Sequence, residues 1–193
     1  MEPLGDELEW IEAAQRGDQD AFARLVEAYK QPVYNLAYRM LGNAAEAEDA
    51  AQEVFLRAYL KLATYDRERR FSTWLLSIAS NYCIDVLCRR RTPIVTLEDA
   101  EYALPSSEPG PEQSAVEGEQ RASIARAIDA LPPAYRLPAV LRYYYDLPYE
   151  EIERITGLTE ATVKTRLHRA RRMIKDFLEK QGALPWSAET SGH

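Results

Sequence analysis

The chain has 193 residues, 46% hydrophobic and 28% charged, a make-up suited to one domain or two small compact ones. It holds no run of about 18 apolar residues, and its acidic start, Met1 to Trp10, lacks the basic and apolar pattern of a secretory signal, so neither a membrane span nor export is expected. Its two cysteines, Cys83 and Cys88, cannot build a disulfide framework and point to a reducing cytoplasm. A net charge of −7 argues against a nucleic-acid partner only if the charge is evenly spread, and it is not.

From the N-terminus, residues 1–20 are expected to lead into a first helix. Phe22, Leu25, Val26, Tyr29, Val33, Leu36, Ala37 and Met40 then recur at three- and four-residue steps, one face of an amphipathic helix. Pro32 lies inside this pattern and is expected to kink it or split it in two. Gly42-Asn43 breaks the chain. A second helix buries Ala50, Val54, Phe55, Ala58 and Leu62 and carries Glu46, Asp49, Gln52 and Glu53 on its other side. A third, from Ser72 to about Arg91, buries Leu75, Ile78, Ala79, Tyr82, Val86 and Leu87.

Residues 93–118 read as a flexible acidic linker. Pro93, Pro105, Pro109, Pro111 and Gly110 punctuate it, and between Thr92 and Gln120 the charged residues are all acidic: Glu98, Asp99, Glu101, Glu108, Glu112, Glu117 and Glu119. Those seven carboxylates equal the net charge of the chain. Beyond them Ile124, Ile128 and Leu131 resume a helical pattern that stops at Pro132-Pro133, and Pro138 is expected in the first turn of the next helix. No stretch alternates with period two. The fold expected is all-α, two small helical domains at 21–92 and 119–180 joined by the linker, with a polar tail at 181–193.

The most specific stretch runs from Tyr149 to Arg172. Ile152 and Ile155 give a first helix its inner face, and Gly157 can take the left-handed cap at its end. Leu158 fills the turn and Thr159 is an N-cap for the next helix, whose buried face is Val163, Leu167, Ala170 and Ile174. This is the helix-turn-helix whose second helix enters the DNA major groove. With Val163 facing inward, Thr165 and Arg172 point away from the core, flanked by Ala161, Lys164, His168 and Arg169. Between Glu160 and Lys175 six basic residues (Lys164, Arg166, Arg169, Arg171, Arg172, Lys175) stand against Glu160 alone, so the acidic chain has a basic patch where DNA would lie.

With these residues in place a family resemblance becomes usable. Leu131-Pro-Pro-Ala-Tyr-Arg136, Leu141-Arg-Tyr, Tyr149-Glu-Glu-Ile and Thr162-Val-Lys-Thr-Arg-Leu-His-Arg-Ala-Arg resemble region 4 of the extracytoplasmic-function sigma factors. Glu48-Asp-Ala-Ala-Gln-Glu-Val-Phe-Leu-Arg-Ala-Tyr59 resembles the helix of their region 2 that grips the polymerase clamp, and Phe71 to Arg91 resembles their promoter-melting segment. The likeness covers about Ala21 to Leu178 in the expected order. Ala161 stands where the family has Gly, and Pro148 where it has Ser.

The resemblance implies partners and sites. Asp49, Gln52, Glu53 and Leu56 would meet core RNA polymerase, through a basic coiled coil of its β′ subunit, with the β subunit also in contact. Phe71, Ser72, Asn81, Asp85, Arg89 and Arg90 would engage the −10 element of promoter DNA. Ala161, Thr162, Lys164, Thr165, His168, Arg169 and Arg172 would read the −35 element. The acidic linker would either thread a polymerase channel meant for nucleic acid or serve only as a solubilising tether, and an anti-sigma factor is an expected partner. Read without the resemblance, the acidic side of the second helix is a solvated face, and Trp74 and Tyr82 are core residues.

No enzymatic constellation, cofactor site or metal site is expected. His168 and His193 are far apart in the chain, no glycine-rich phosphate loop occurs, and Cys83 and Cys88 are five apart on a helix, about 140° in rotation, poor geometry for a shared metal. The rival function is a stand-alone helix-turn-helix regulator that binds operators as a dimer. It would need a dimer interface, and neither a clamp-binding helix nor a melting segment.

Overall fold

The computed structural model describes residues 6–91 and 115–181, and every regular element in them is helical. The helices are α1 (Glu7–Gln15), α2 (Gln19–Leu41), α3 (Ala44–Lys61), α4 (Phe71–Arg91), α5 (Ala115–Asp129), α6 (Pro133–Tyr143), α7 (Tyr149–Thr156) and α8 (Glu160–Lys180), with a 3-10 turn at Leu62–Thr64. The acidic stretch 93–118 lies outside the described residues up to its last four, which begin α5, and of the tail 181–193 only Gln181 is described.

In the N-terminal domain α2 is the axis, packed by α1, α3 and α4. It starts at Asp18, whose carboxylate accepts from the Ala21 amide at 3.0 Å, and ends at Gly42, whose φ of 74° is open to glycine at little cost. Pro32 does not split it. Leu25, Tyr29, Val33, Leu36, Ala37 and Met40 are all buried, so packing on both sides of the proline holds one helix despite the missing donor, a defect of about 3 kcal/mol. Asn43 caps α3 by accepting from the Glu46 amide at 3.0 Å, and Ala47, Ala50 and Ala58 on its inner face let α2 approach closely. The first segment is a helix of its own rather than a lead-in: Ile11 and Ala14 of α1 are buried, and Tyr29 donates to the buried Glu7 carboxylate.

In the C-terminal domain α8 is the axis, packed by α5, α6 and α7. Pro133, not Pro138, opens α6; Pro138 is interior. Its ring leaves the Ala134 carbonyl, four residues back, without a backbone donor, and Arg166 Nη1 on α8 supplies one at 3.2 Å. Ile128, Leu131, Val140, Leu141, Ile152, Ile155, Val163, Leu167 and Ile174 fill the core.

The two domains touch. α7 packs on α4 and α6 on α2, and the buried apolar residues form one continuous cluster across both. Among the described residues, α4 is the one helix long and apolar enough by length and composition to cross a membrane. Half of that apolar stretch, Phe71–Arg90, is buried inside the protein, as suits a central core helix.

Candidate nucleic-acid interface

The helix-turn-helix forms as its local signals dictate. α7 ends at Gly157 with φ 67°, whose amide donates to the Glu153 carbonyl at 2.8 Å. Thr159 Oγ1 accepts from the Thr162 amide at 3.3 Å and so satisfies one orphan donor of α8. With Val163, Leu167, Ala170 and Ile174 buried, Ala161, Lys164, Thr165, His168, Arg169 and Arg172 are exposed and Thr162 is half-buried.

These side chains are not equally free. Lys164 pairs with Glu160 at 2.5 Å and lies 5.6 Å from the Tyr149 ring, and this hydrogen bond to Glu160, with its charge, pushes the amine pKa up. Thr165 donates to the Ala161 carbonyl at 2.8 Å, which leaves its methyl and an acceptor lone pair outward. Arg169, Thr165, Ala161 and Thr162 line a shallow cleft with Ala134 and Tyr135 of α6. Arg166, also on its wall, is turned to the Ala134 carbonyl, a packing role. Arg171 is half-buried, beside the Tyr143 phenol.

On α3, Asp49 and Gln52 are exposed and Glu53 is half-buried, at i, i+3 and i+4 on one face. Glu53 accepts from Arg57 Nε at 2.7 Å, so one carboxylate of the face is already paired. Leu56 is 55% exposed and Leu60 72%. Beside Leu56 a groove is lined by Gln19, Phe22, Phe55 and Tyr59. Phe55, expected on the buried side, packs against the core and also lines this groove, with Tyr59 exposed beside it. Phe55 lies three residues after Gln52 and Tyr59 three after Leu56, a helical spacing that could have found them.

On α4 the structure divides the expected −10 residues. Asn81, Asp85 and Arg89 are exposed along one side, at steps of four, with Arg89 Nε donating to the Asp85 carbonyl at 3.3 Å. Phe71 and Ser72 are buried instead. The Phe71 ring meets Tyr29, Tyr65 and Trp74, each at 5.4 Å between centroids, because an aromatic at the start of α4 is the wedge that closes the bundle. Arg90 is exposed as well, and it bonds the Leu41 carbonyl at 3.3 Å and Glu46, bridging the end of α2 to the start of α3. Cys83 is fully buried, its thiol pushed up to about 12 by burial, while Cys88 is exposed.

Residues 25–92 match the profile of Sigma-70 region 2, and residues 121–174 that of Sigma-70 region 4. The ECF RNA polymerase sigma factor SigW of Bacillus subtilis is 42% identical over 87% of this chain and 94% of its own length. The ECF RNA polymerase sigma-E factor of Escherichia coli K12 is 34% identical over 92% and 96%. Among solved structures, RpoE of Bartonella quintana, in complex with the anti-sigma factor NepR, shares the fold at a TM-score of 0.65 and 20% identity, over 82% of this chain and 96% of that one. The stand-alone operator-binding regulator is not favoured, since its N-terminal half would have no reason to be a sigma region 2. With both regions matched in order and relatives covered nearly end to end, the chain belongs to the extracytoplasmic-function RNA polymerase sigma factors.

Proposed function

We propose that this sigma factor divides its work among three faces. The outer face of α8, with Ala161, Thr162, Lys164, Thr165, His168, Arg169 and Arg172, reads the −35 element in the major groove. There Arg and Lys can bond guanine edges, and small residues allow close approach. Asn81, Asp85 and Arg89 on α4 engage the −10 element, the amide meeting the edge of an extruded base and the guanidinium a phosphate. Phe71 and Ser72 hold the end of α4 in place. Asp49, Gln52, Glu53 and Leu56 on α3 dock core polymerase, carboxylates and amide suiting arginines of the partner. The protein works in the cytoplasm. A solved relative of the same fold is described as a complex with an anti-sigma factor, and that supports such a partner here.

The observation that carries this reading is the α8 face. A capped turn, a buried stripe and an exposed basic surface coincide on one helix of an otherwise acidic chain. The test is a gel shift and run-off transcription on a promoter library, with and without core polymerase. Promoter-specific binding and transcripts are expected only when core is added. Tight, sequence-specific binding by the chain alone, unaltered by core, would sink the reading in favour of an operator-binding dimer.

A further inference from the structure

The shallow cleft beside α8 encloses about 380 Å³, and it is more apolar than its residue types suggest. Ala134 and Tyr135 reach it from the first turn of α6, and Ala161, Thr162 and Thr165 from the start of α8. Most of its hydrogen-bonding groups are already engaged. The Thr165 hydroxyl donates to the Ala161 carbonyl at 2.8 Å, and the Thr162 and Thr159 hydroxyls pair at 2.8 Å. Arg166 Nη1 donates to the Ala134 carbonyl at 3.2 Å. That leaves the cleft the methyl groups of two alanines and two threonines, and the ring of Tyr135. Tyr135 is half-buried and packed against the core, so it forms a fixed wall. Arg169, exposed on the rim, brings the donors that are not engaged.

An apolar cleft on a major-groove face admits few occupants. The base pairs present acceptors and amino donors there, and a single apolar group, the C5 methyl of thymine. A phosphate would need donors that the cleft does not offer. In helix-turn-helix proteins the N-terminal residues of the second helix lie against base edges, and Ala161, Thr162 and Thr165 stand at that end of α8. The Thr165 oxygen keeps a lone pair outward, and the base pair that carries the methyl also carries an adenine amino donor.

We propose that the cleft is a pocket for a thymine methyl, and that Tyr135, which lies outside the recognition helix, is a specificity-determining residue for the −35 element. The proposal rests on the −35 reading of α8 given above and deepens it. The thymine held in the cleft neighbours the base whose edge Arg169 bonds at the rim. Two unlike contacts then read adjacent positions, an apolar one that requires the methyl and a charged one that requires acceptors. Ala161 belongs to the same pocket: its methyl lines the cleft, and a glycine there would leave a gap on that side.

The test is a uracil scan. Each thymine on either strand of a −35 element selected by the holoenzyme is replaced singly by uracil, which lacks the methyl and keeps every hydrogen-bonding group. Holoenzyme affinity should fall about fourfold at a position next to the base whose preference Arg169→Ala flattens, the loss expected for one buried methyl. Tyr135→Ala and Ala161→Gly should each bring the thymine-to-uracil ratio there close to one. Tyr135→Phe keeps the ring and should keep the ratio at about four. The ratio compares two DNAs on one protein, so a variant that is uniformly weakened still reports, and circular dichroism melting checks that each variant unfolds cooperatively. A scan with no sensitive position, or a ratio that Tyr135→Ala and Ala161→Gly leave unaltered, overturns the pocket. If Arg169→Ala nonetheless changes the preferred sequence, the pocket alone has failed; if it does not, the −35 reading of α8 has failed with it.

Discussion

Replacing Arg169 with alanine should separate sequence reading from mere attraction to DNA. Arg169 is exposed on α8 and makes no hydrogen bond or ion pair with any described residue, so Arg169→Ala should leave stability within about 0.5 kcal/mol. Its place on the rim of the cleft with Ala161 and Thr165 gives its guanidinium a short approach to a base edge. Loss of one such contact costs about 1–3 kcal/mol, roughly five- to 150-fold in affinity for the preferred base. The competing bases should lose much less, so the preference at one −35 position flattens. Arg171, half-buried beside Tyr143, is the control. Arg171→Ala should lower affinity for all sequences alike and reduce the salt dependence, as a phosphate contact does. The assay is selection by holoenzyme from a promoter with a randomised −35 element, followed by salt titration of the winners. If the Arg169→Ala holoenzyme recovers the wild-type sequence, the reading face on α8 has been misplaced.

Other consequences follow from the remaining faces. Reversing charge with Asp49→Lys and Glu53→Lys should weaken co-purification with core polymerase while thermal unfolding stays close to wild type, apart from the lost Glu53–Arg57 pair, worth about 0.3–0.5 kcal/mol; unchanged co-purification removes this face from the interface. Asn81→Ala should slow open-complex formation on duplex promoters and be partly rescued by a pre-melted bubble, and equal activity on both templates would count against a base contact. Burial pushes the phenols of Tyr29, Tyr65 and Tyr145 up, Tyr65 to about 12. These groups are held neutral in the fold, so their contribution is complete below about pH 10 and is lost as pH rises through the raised values. Stability followed by circular dichroism should therefore fall between about pH 10 and 12, and Tyr65→Phe should make that fall shallower.

Much of the fold was legible because its signals are local. The helix-turn-helix rests on Gly157, Thr159 and a four-three-four stripe, all readable within eighteen residues, and each behaves as its chemistry requires. Where sequence reasoning failed, a distant group decided the outcome. Pro138 looks like a helix start because a proline in a helix interior strands a carbonyl; Arg166, 28 residues later, takes that carbonyl. Phe71 shows the limit most plainly, since the aromatic that would stack on a base is also the aromatic that would close a core, and only the positions of Tyr29 and Tyr65 separate the two.

The least legible feature was the second buried side of α4. A helix packed on one side shows an apolar stripe with polar residues opposite, and sequence reasoning finds that pattern readily. α4 is packed by α2 and α3 and again by α7, so its buried positions spread around it: Leu75, Ile78 and Ala79, then Thr73, Leu76, Ser80 and Cys83. The second set mixes hydroxyls, a thiol and one leucine. A permanent core would fill such positions with aliphatic side chains, and a surface meant always for water would leave Leu76 and Cys83 out. A set of intermediate polarity is what a helix shows where it packs on a second domain rather than within its own core. The same logic accounts for Arg136, whose guanidinium bonds the Leu131 carbonyl of its own domain at 3.0 Å and the Met40 carbonyl of the other at 2.9 Å.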